Sequence, residues 1–332
     1  MSVIPFNINE SAGQTKLQQL VNSIAEAISA GKLKEGDVLP SVNQLSNESG
    51  FSRDTVFKAY NILKRRNLVE SAPQKGYFVA NESQKIFMLL DDFSAFKEQL
   101  YQSFRQNLPN SFSVDLLFHH YNEEVFHQLI ENSIGRYSIY IIMNIDHKSV
   151  DKVLDKIDSN KLLILDMGRP ANGKMNYLTQ DFNLLVKQSL EQGVESFKKY
   201  NEIVLVYEEN STPHPVETVS AVRSFCNKHK ILFRKIKRLT GSEVEKGKAY
   251  FVIRESDLVT VIKTCRERNY RLGEDVGVIS YNDTPMKQVV GGGISVISTD
   301  FEMMGTLAAD FVKNKQPIQK VLPTFLTLRD SL

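Results

Sequence analysis

Within residues 52–66, five basic side chains, Arg53, Lys58, Lys64, Arg65 and Arg66, stand against a single acid, Asp54. Basic groups this concentrated neutralise phosphate, and an arginine close to a threonine (Arg53, Thr55) can also reach base edges in a groove. Taken alone, Lys64-Arg65-Arg66 reads equally well as the solvated end of a helix. A second set of polar residues follows strand-length apolar runs: Asp91, Asp92 and Phe93, then Asp166 and Arg169. Asp181, Arg254, Glu255, Asn282 and Asp283 come later in the chain. Carboxylate, amide and guanidinium groups offer paired hydrogen bonds to sugar hydroxyls, and Phe93 could lie against the apolar face of a pyranose. Each also has a plainer role: Asp92 and Asp181 as helix caps, Asp166 as a turn residue, Phe93 as core and Arg254 as the partner of an acid. Other chemistry is thin. No phosphate loop, nucleophile elbow or H-E-x-x-H occurs, and Gly291-Gly292-Gly293 fits a flexible loop. His119, His120 and His127 lack ligand-spaced partners, and Cys226 and Cys265 are too few for a disulfide framework or a zinc site. No catalytic residue, metal or cofactor is expected.

The elements that must carry the basic set lie between Leu39 and Val79. After Pro40, Ser41 can cap a short helix that turns Val42 and Leu45 inward, and Gly50 supplies the positive φ that stops it. Ser52 caps a second helix, along which Val56, Ala59, Tyr60 and Leu63 recur at helical spacing and leave Arg53, Thr55 and Lys58 on the opposite face. Leu68–Glu70 and Tyr77–Val79 then flank Ala72–Gly76 as a two-stranded wing with a basic tip. A helix ahead of these, Thr15–Ala30, carries Leu17, Leu20, Val21, Ile24 and Ile28 on one face. Such a helix-turn-helix sets its second helix to enter a major groove.

The chain of 332 residues suits two or three domains, and its net charge of +2 is unevenly placed. Residues 1–80 hold 9 Lys/Arg against 7 Asp/Glu, and the remainder balances at 32 against 32. The positive field is therefore local to one small domain. No signal-peptide pattern opens the chain and no apolar run is long enough to span a membrane, so a cytoplasmic protein is expected. From Lys85 onward, short apolar strands alternate with helices in two runs separated near Gly168–Gly173. That pattern specifies parallel sheets with helices on both faces, in two lobes. Ligands of open α/β sheets bind beyond the carboxyl ends of the strands, which is where the second polar set falls.

The stretches LPSVNQLS, GFSRDTVFKAYNILKRRNLV and QKGYFV resemble the GntR-type winged-helix pattern from about Lys16 to Val79. The resemblance implies DNA contacts by Arg53, Thr55 and Lys58 on the recognition helix and a wing-tip glycine at Gly76. Asn43 stands where that family usually has an arginine. The remainder resembles the lactose-repressor-type effector domain, related to type I periplasmic sugar-binding proteins. Its anchors are Arg271–Asp283, Ile294–Phe301 and Met304-Gly305, with Arg254 and Asn282 at positions that family uses. Arg254-Glu255 replaces the usual Asn-Asp pair, and Ser280–Asp283 replaces a Gly-Phe-Asp-Asp turn.

The resulting expectation is an α/β chain with an N-terminal winged helix-turn-helix over 1–80 and a two-lobed, periplasmic-binding-protein-like domain over 84–332. It would be a homodimeric transcription regulator that binds double-stranded operator DNA and a sugar-like effector, and not an enzyme. Expected DNA-contacting residues are Ser41, Asn43, Ser52, Arg53, Thr55, Lys58, Lys75 and Gly76. Expected effector-binding residues are Asp92, Phe93, Arg169, Asp181, Arg254, Asn282 and Asp283. The rival from another class is an enzyme on the same head, either sugar-modifying or pyridoxal-phosphate-dependent. The pyridoxal fold typically needs clearly more than the roughly 250 residues that remain.

Overall fold

Leu20, Val21, Ile24, Ala25 and Ala27 line one side of α1 (Lys16–Ser29) and are buried against α3 (Arg53–Arg65), whose inward face is Val56, Ala59, Tyr60 and Leu63. The computed structural model describes residues 15–66, 68–80, 85–145, 150–167, 175–209, 212 and 214–332. Between these helices runs α2 (Val42–Ser49), which contributes Leu45 to the same core. The wing consists of β1 (Val69–Ala72) and β2 (Gly76–Val79), antiparallel with Val69 opposite Val79 and Ala72 opposite Gly76. Val38 bridges to Phe78, and Tyr60 stacks on Tyr77 at 4.3 Å. The buried hydrophobic cluster of this region runs from Leu20 to Val79, with Leu17, Ile28, Val42, Ile62 and Tyr77 packed against it.

The chain then alternates. It runs through β3 (Lys85–Leu90), α4 (Ala95–Gln106), β4 (Ser113–Phe118), α5 (Glu123–Ser133), β5 (Ile139–Met143), α6 (Val150–Leu154), β6 (Leu162–Asp166) and β7 (Asn176–Thr179). Next come α7 (Leu184–Gln192), α8 (Val194–Phe197), β8 (Glu202–Val206), α9 (Glu217–His229), β9 (Leu232–Ile236), β10 (Lys248–Val252) and α10 (Glu255–Glu267). The last elements are β11 (Val276–Tyr281), α11 (Pro285–Val289), β12 (Ser295–Thr299), α12 (Phe301–Asn314), β13 (Gln319–Val321) and β14 (Thr324–Thr327). Two six-stranded sheets result, ordered β13-β7-β6-β5-β3-β4 and β14-β12-β11-β10-β8-β9. In the second, β9, β8, β10, β11 and β12 are parallel, and β14 adds an antiparallel edge. Alternate residues of one strand feed opposite cores: Phe251 joins Leu205 and Ile279, while Tyr250 and Val252 join Val204 and Val278. A sheet covered on both faces needs such uninterrupted apolar strands.

The described residues divide into two compact units, those within Met1–Asp92, Leu108–Tyr177 and Asp310–Gln319, and those within Phe93–Asn107, Leu178–Ala309 and Lys320–Leu332. The sequence pattern joins Phe93–Leu108 to the first run of strands, yet α4 belongs to the second unit with most of α12. The reason is a close helix–helix approach: a Cβ on Gly305 would come 2.3 Å from the Leu100 carbonyl oxygen. Ser103 Oγ also donates to the Glu302 carbonyl at 2.7 Å. Between Asp181 and Tyr200, where the alternating pattern admits a single helix, the chain forms two, split at Gly193, where a Cβ would meet Leu326 Cδ2 at 2.3 Å. The expected boundary at Asn81–Gln84 and the break at Gly168–Gly173 lie outside the described residues.

Candidate nucleic-acid interface and strand-end residues

Two serines set the helix-turn-helix. Ser41 Oγ accepts from the Gln44 amide at 3.2 Å, and Ser52 Oγ from the Thr55 amide at 3.1 Å, each satisfying a free N–H of a first helical turn. Gly50 joins them with φ 72°. Tyr60, buried in the head, donates to the Pro40 carbonyl at 2.6 Å, which ties α3 to the start of α2. Over this scaffold Ser41, Asn43, Ser52, Arg53, Lys58, Lys75 and Gly76 are exposed and Thr55 is half-buried. All eight expected DNA-contacting residues are thus on the described head. Lys58 pairs with Asp54 at 2.8 Å one turn away, with both side chains well exposed, a contact readily exchanged for phosphate. At the wing tip, Gln74 and Gly76 take positive φ, and Lys75 Nζ lies 3.8 Å over the Phe78 ring.

In the first unit, the register Leu90–Phe118 and Leu89–Ile142 places Asp91, His119 and Asn144 at the carboxyl ends of three adjacent parallel strands. Tyr121 donates to Asp91 Oδ2 at 2.9 Å, and burial with the Asp91 charge holds its hydroxyl above the usual phenol range. His119, fully buried, accepts the Tyr121 amide on Nδ1 at 3.2 Å, so Nε2 carries the proton toward the Met143 carbonyl at 3.1 Å. Asp92 is half-buried beside this group, and its amide donates to Asp91 Oδ1. Asp166 closes β6 with φ 68°. Arg169 lies outside the described residues.

In the second unit, Phe93 is 69% exposed. Asp181 Oδ1 accepts the Asn183 and Leu184 amides at 2.9 and 2.7 Å and so caps α7. β10 and β11 run in parallel with Val252 opposite Ser280, which brings Arg254 and Asn282 to the ends of neighbouring strands. Asn282 has φ 60°, and its Oδ1 is buried with no hydrogen-bond partner among the described residues. Lys287, 3% exposed, donates to the Tyr281 and Asn282 carbonyls at 2.9 and 2.8 Å and fixes that strained turn. Burial depresses the Lys287 ammonium below its ordinary value, and nearby Glu255 opposes the shift. Asp283 is engaged by Arg329, whose Nη1 donates to Oδ1 at 3.0 Å.

Sequence reasoning missed the aromatic group beside Asn282. The His214 ring lies 4.3 Å from Tyr281 and 5.1 Å from Phe182, and Tyr281 donates to Gln180 Oε1 at 3.3 Å. Burial pushes His214 down to about 3, so it is neutral at ordinary pH. Its ring nitrogen is 2.8 Å from Thr218 Oγ1, which itself donates to the Phe182 carbonyl. The adjacency of Tyr281 to Asn282 and of Gln180 to Asp181 was the available signal. Among the described residues no cluster of three or more metal-ligating side chains occurs, and no helix is long and apolar enough to cross a membrane.

Residues 16–79 match the model of bacterial regulatory proteins of the gntR family, and residues 197–332 match a periplasmic binding protein-like domain. The chain therefore carries a GntR-type helix-turn-helix domain and a periplasmic-binding-protein-like domain. It is 44% identical over 66 residues to the uncharacterized HTH-type transcriptional regulator YjiR of Escherichia coli K12, covering 20% of this chain and 14% of that one. With the HTH-type transcriptional regulator GalR of Streptococcus thermophilus it shares 25% identity over 229 residues, 60% of this chain and 64% of that protein. In fold it is similar to a LacI family transcriptional regulator from Lactobacillus casei with bound sucrose. The TM-score there is 0.62 at 14% identity, over 75% of this chain and 99% of that one.

Proposed function

We propose that this protein is a sequence-specific, DNA-binding transcription regulator whose affinity for DNA is set by a small polyhydroxylated effector, a monosaccharide or a sugar derivative. The observation that carries this reading is the Arg53–Thr55–Lys58 face of a capped helix, with both cations exposed, on a chain whose second sheet has Arg254 and Asn282 at its strand ends. The names of GalR and of the sucrose-bound regulator support it. Arg53 would contact base edges from the first turn of α3, while Lys58 and the wing-tip Lys75 would neutralise phosphate. Asn282, with its unpartnered oxygen, and Arg254 would supply hydrogen bonds to effector hydroxyls, assisted by Asp92, Phe93, Arg169, Asp181 and Asp283.

The chain would act as a homodimer in the cytoplasm, because one recognition helix reads too few base pairs for useful specificity. It would catalyse no reaction on its effector. An effector changes DNA affinity only as far as it binds one conformation better than another, and DNA must change effector affinity by the same factor. The domains are read as 1–80 for DNA and 84–332 for effector and partner subunit.

The test is a thermal-shift screen of the full chain against unphosphorylated mono- and disaccharides, paired with selection of a binding site from randomised duplex DNA. A sugar at about a hundred times its Kd should stabilise the protein by roughly 2.7 kcal/mol and alter the affinity for the selected DNA. If no sugar moves either quantity, the effector class is wrong. If no duplex is enriched, the DNA reading falls as well.

A further inference from the structure

Of the apolar side chains along α3, Val56, Ala59, Tyr60 and Leu63 are buried in the head and Ile62 packs against the same cluster. Phe57 is different. Its side chain is 49% exposed, although a phenyl group gains more from burial than most side chains do. Helix propensity does not account for it either, since alanine, lysine or arginine would serve an exposed helical position better. Residues four apart share a helix face, so Arg53, Phe57 and Asn61 form one stripe, with Lys64 at its far end. Lys64 Nζ donates to Ser71 Oγ at 2.7 Å, which ties the end of that stripe to the wing strand β1. Arg53, Lys58, Lys64 and Arg65 of the same helix are exposed. A phenyl ring among cations fits a polyanion that carries an apolar feature. The major groove of duplex DNA has both, with phosphates along its rim and, at each A·T pair, the C5-methyl group of thymine.

We propose that Phe57 is a specificity-determining residue that packs on the C5-methyl group of a thymine in the major groove and so selects an A·T pair there. The inference rests on the reading of this head as a DNA-binding domain and adds a contact that hydrogen bonding cannot supply. Arg53 stands in the first turn of α3 and Phe57 one turn on, about 5.4 Å along the axis, so the two meet neighbouring base pairs. Arginine reads the paired acceptors of guanine, whereas a phenyl ring distinguishes thymine by its methyl group alone. Cytosine in that place lacks the methyl and sets an amino group against the ring, where its N–H goes unpaired. Thr55 also carries a methyl group, but a separation of two residues turns it to another face of the helix. Its hydroxyl lies 2.8 Å from Ser52 Oγ at the cap.

The test uses the duplex that the full-length parent selects from randomised DNA, with its thymines replaced one at a time by deoxyuridine. That change removes the methyl group and keeps every hydrogen bond. We expect parent affinity to fall about fourfold at one thymine or more, the value of one buried methyl group. Phe57→Ala should bind the unmodified duplex about fourfold or more weakly than the parent and lose nothing further when the same thymine becomes uracil. Phe57→Leu, which keeps an apolar side chain, should restore part of the sensitivity. No loss at any uracil in the parent, or equal losses in the parent and Phe57→Ala, would overturn the proposal, while salt-dependent binding of the duplex would keep the head's assignment. Self-association that Phe57→Ala abolishes, without any methyl sensitivity, would give the ring to a second copy of the chain and overturn it as well. Failure of the parent to select any duplex would remove the DNA reading together with this one. Because the uracil series is read on the parent, it stays decisive should Phe57→Ala fail to fold.

Discussion

The head presents its proposed DNA-contacting residues outward, whereas the proposed effector-binding residues at the strand ends of the second unit are largely engaged. Arg53, Lys58 and Lys75 are exposed, and Lys58 holds only a solvent-exposed partner. Asp181 is bonded to two amides, Asp283 to Arg329, and Asn282 is clamped through its carbonyl by a nearly buried lysine. The contrast follows from the ligands each region would meet. Duplex DNA is a preformed, highly charged surface, so mobile exposed cations can find it and release its counterions. A small polar ligand offers few contacts, so the groups that meet it must be held in place beforehand.

That contrast can be broken most severely through the core. Phe251 lies at 0% exposure between Leu205 and Ile279, so Phe251→Ala should cost about 3–5 kcal/mol. Because the head has a core of its own, calorimetric unfolding should show the second unit's transition lowered while binding to the selected DNA persists below it. Loss of both together would mean the two regions do not fold separately.

Next in size is acid sensitivity. His214 in the folded protein is held near 3, below the unfolded value near 6.5, so unfolding takes up a proton as pH falls below the latter. Its stabilising contribution is complete above pH 6.5 and declines by up to about 1.4 kcal/mol per pH unit toward 3. His214→Gln should flatten the fall in denaturation midpoint between pH 6 and 4. An unchanged profile would show that other groups carry that dependence.

The smallest effect is expected at Lys58. Its exposed pair with Asp54 contributes at most about 0.5 kcal/mol to stability. Lys58→Ala should therefore leave unfolding unchanged while lowering the slope of log K against log salt for DNA binding by about one. A slope equal to the parent's would place Lys58 off the phosphate backbone.

How far each region could be read from its residues follows the range of the contacts that make it. In the head, Ser41, Gly50, Ser52 and the Val56–Leu63 spacing act within a turn or two, and the structure has them as local chemistry dictates. That Arg254 and Asn282 both lie at strand ends followed from the alternation of strands and helices; that β10 pairs with β11 and sets them side by side did not. Nor did the place of α4, because its packing is set by Glu302 and Gly305, about two hundred positions away. β7, with four residues, and β14 are too short to show a period, and each is held by pairing rather than by propensity. His214, Tyr281, Phe182 and Gln180 meet only after folding, so their grouping left no motif. The engagement of Asp283 by Arg329 was likewise invisible, since a carboxylate at a strand end looks the same in sequence whether a ligand or an arginine holds it.

The division of labour between the two regions is tested most directly by measuring two affinities on two variants. Selected duplex DNA and the sugar found by thermal shift are each titrated against the parent, Arg53→Ala and Asn282→Ala, at one salt concentration. Arg53→Ala should weaken ligand-free DNA binding by about 1–3 kcal/mol and leave sugar affinity within about twofold. Asn282→Ala should weaken sugar binding roughly ten- to a hundredfold and leave ligand-free DNA binding unchanged. Parent-like sugar affinity in Asn282→Ala, or parent-like DNA affinity in Arg53→Ala, would contradict the assignment of that region.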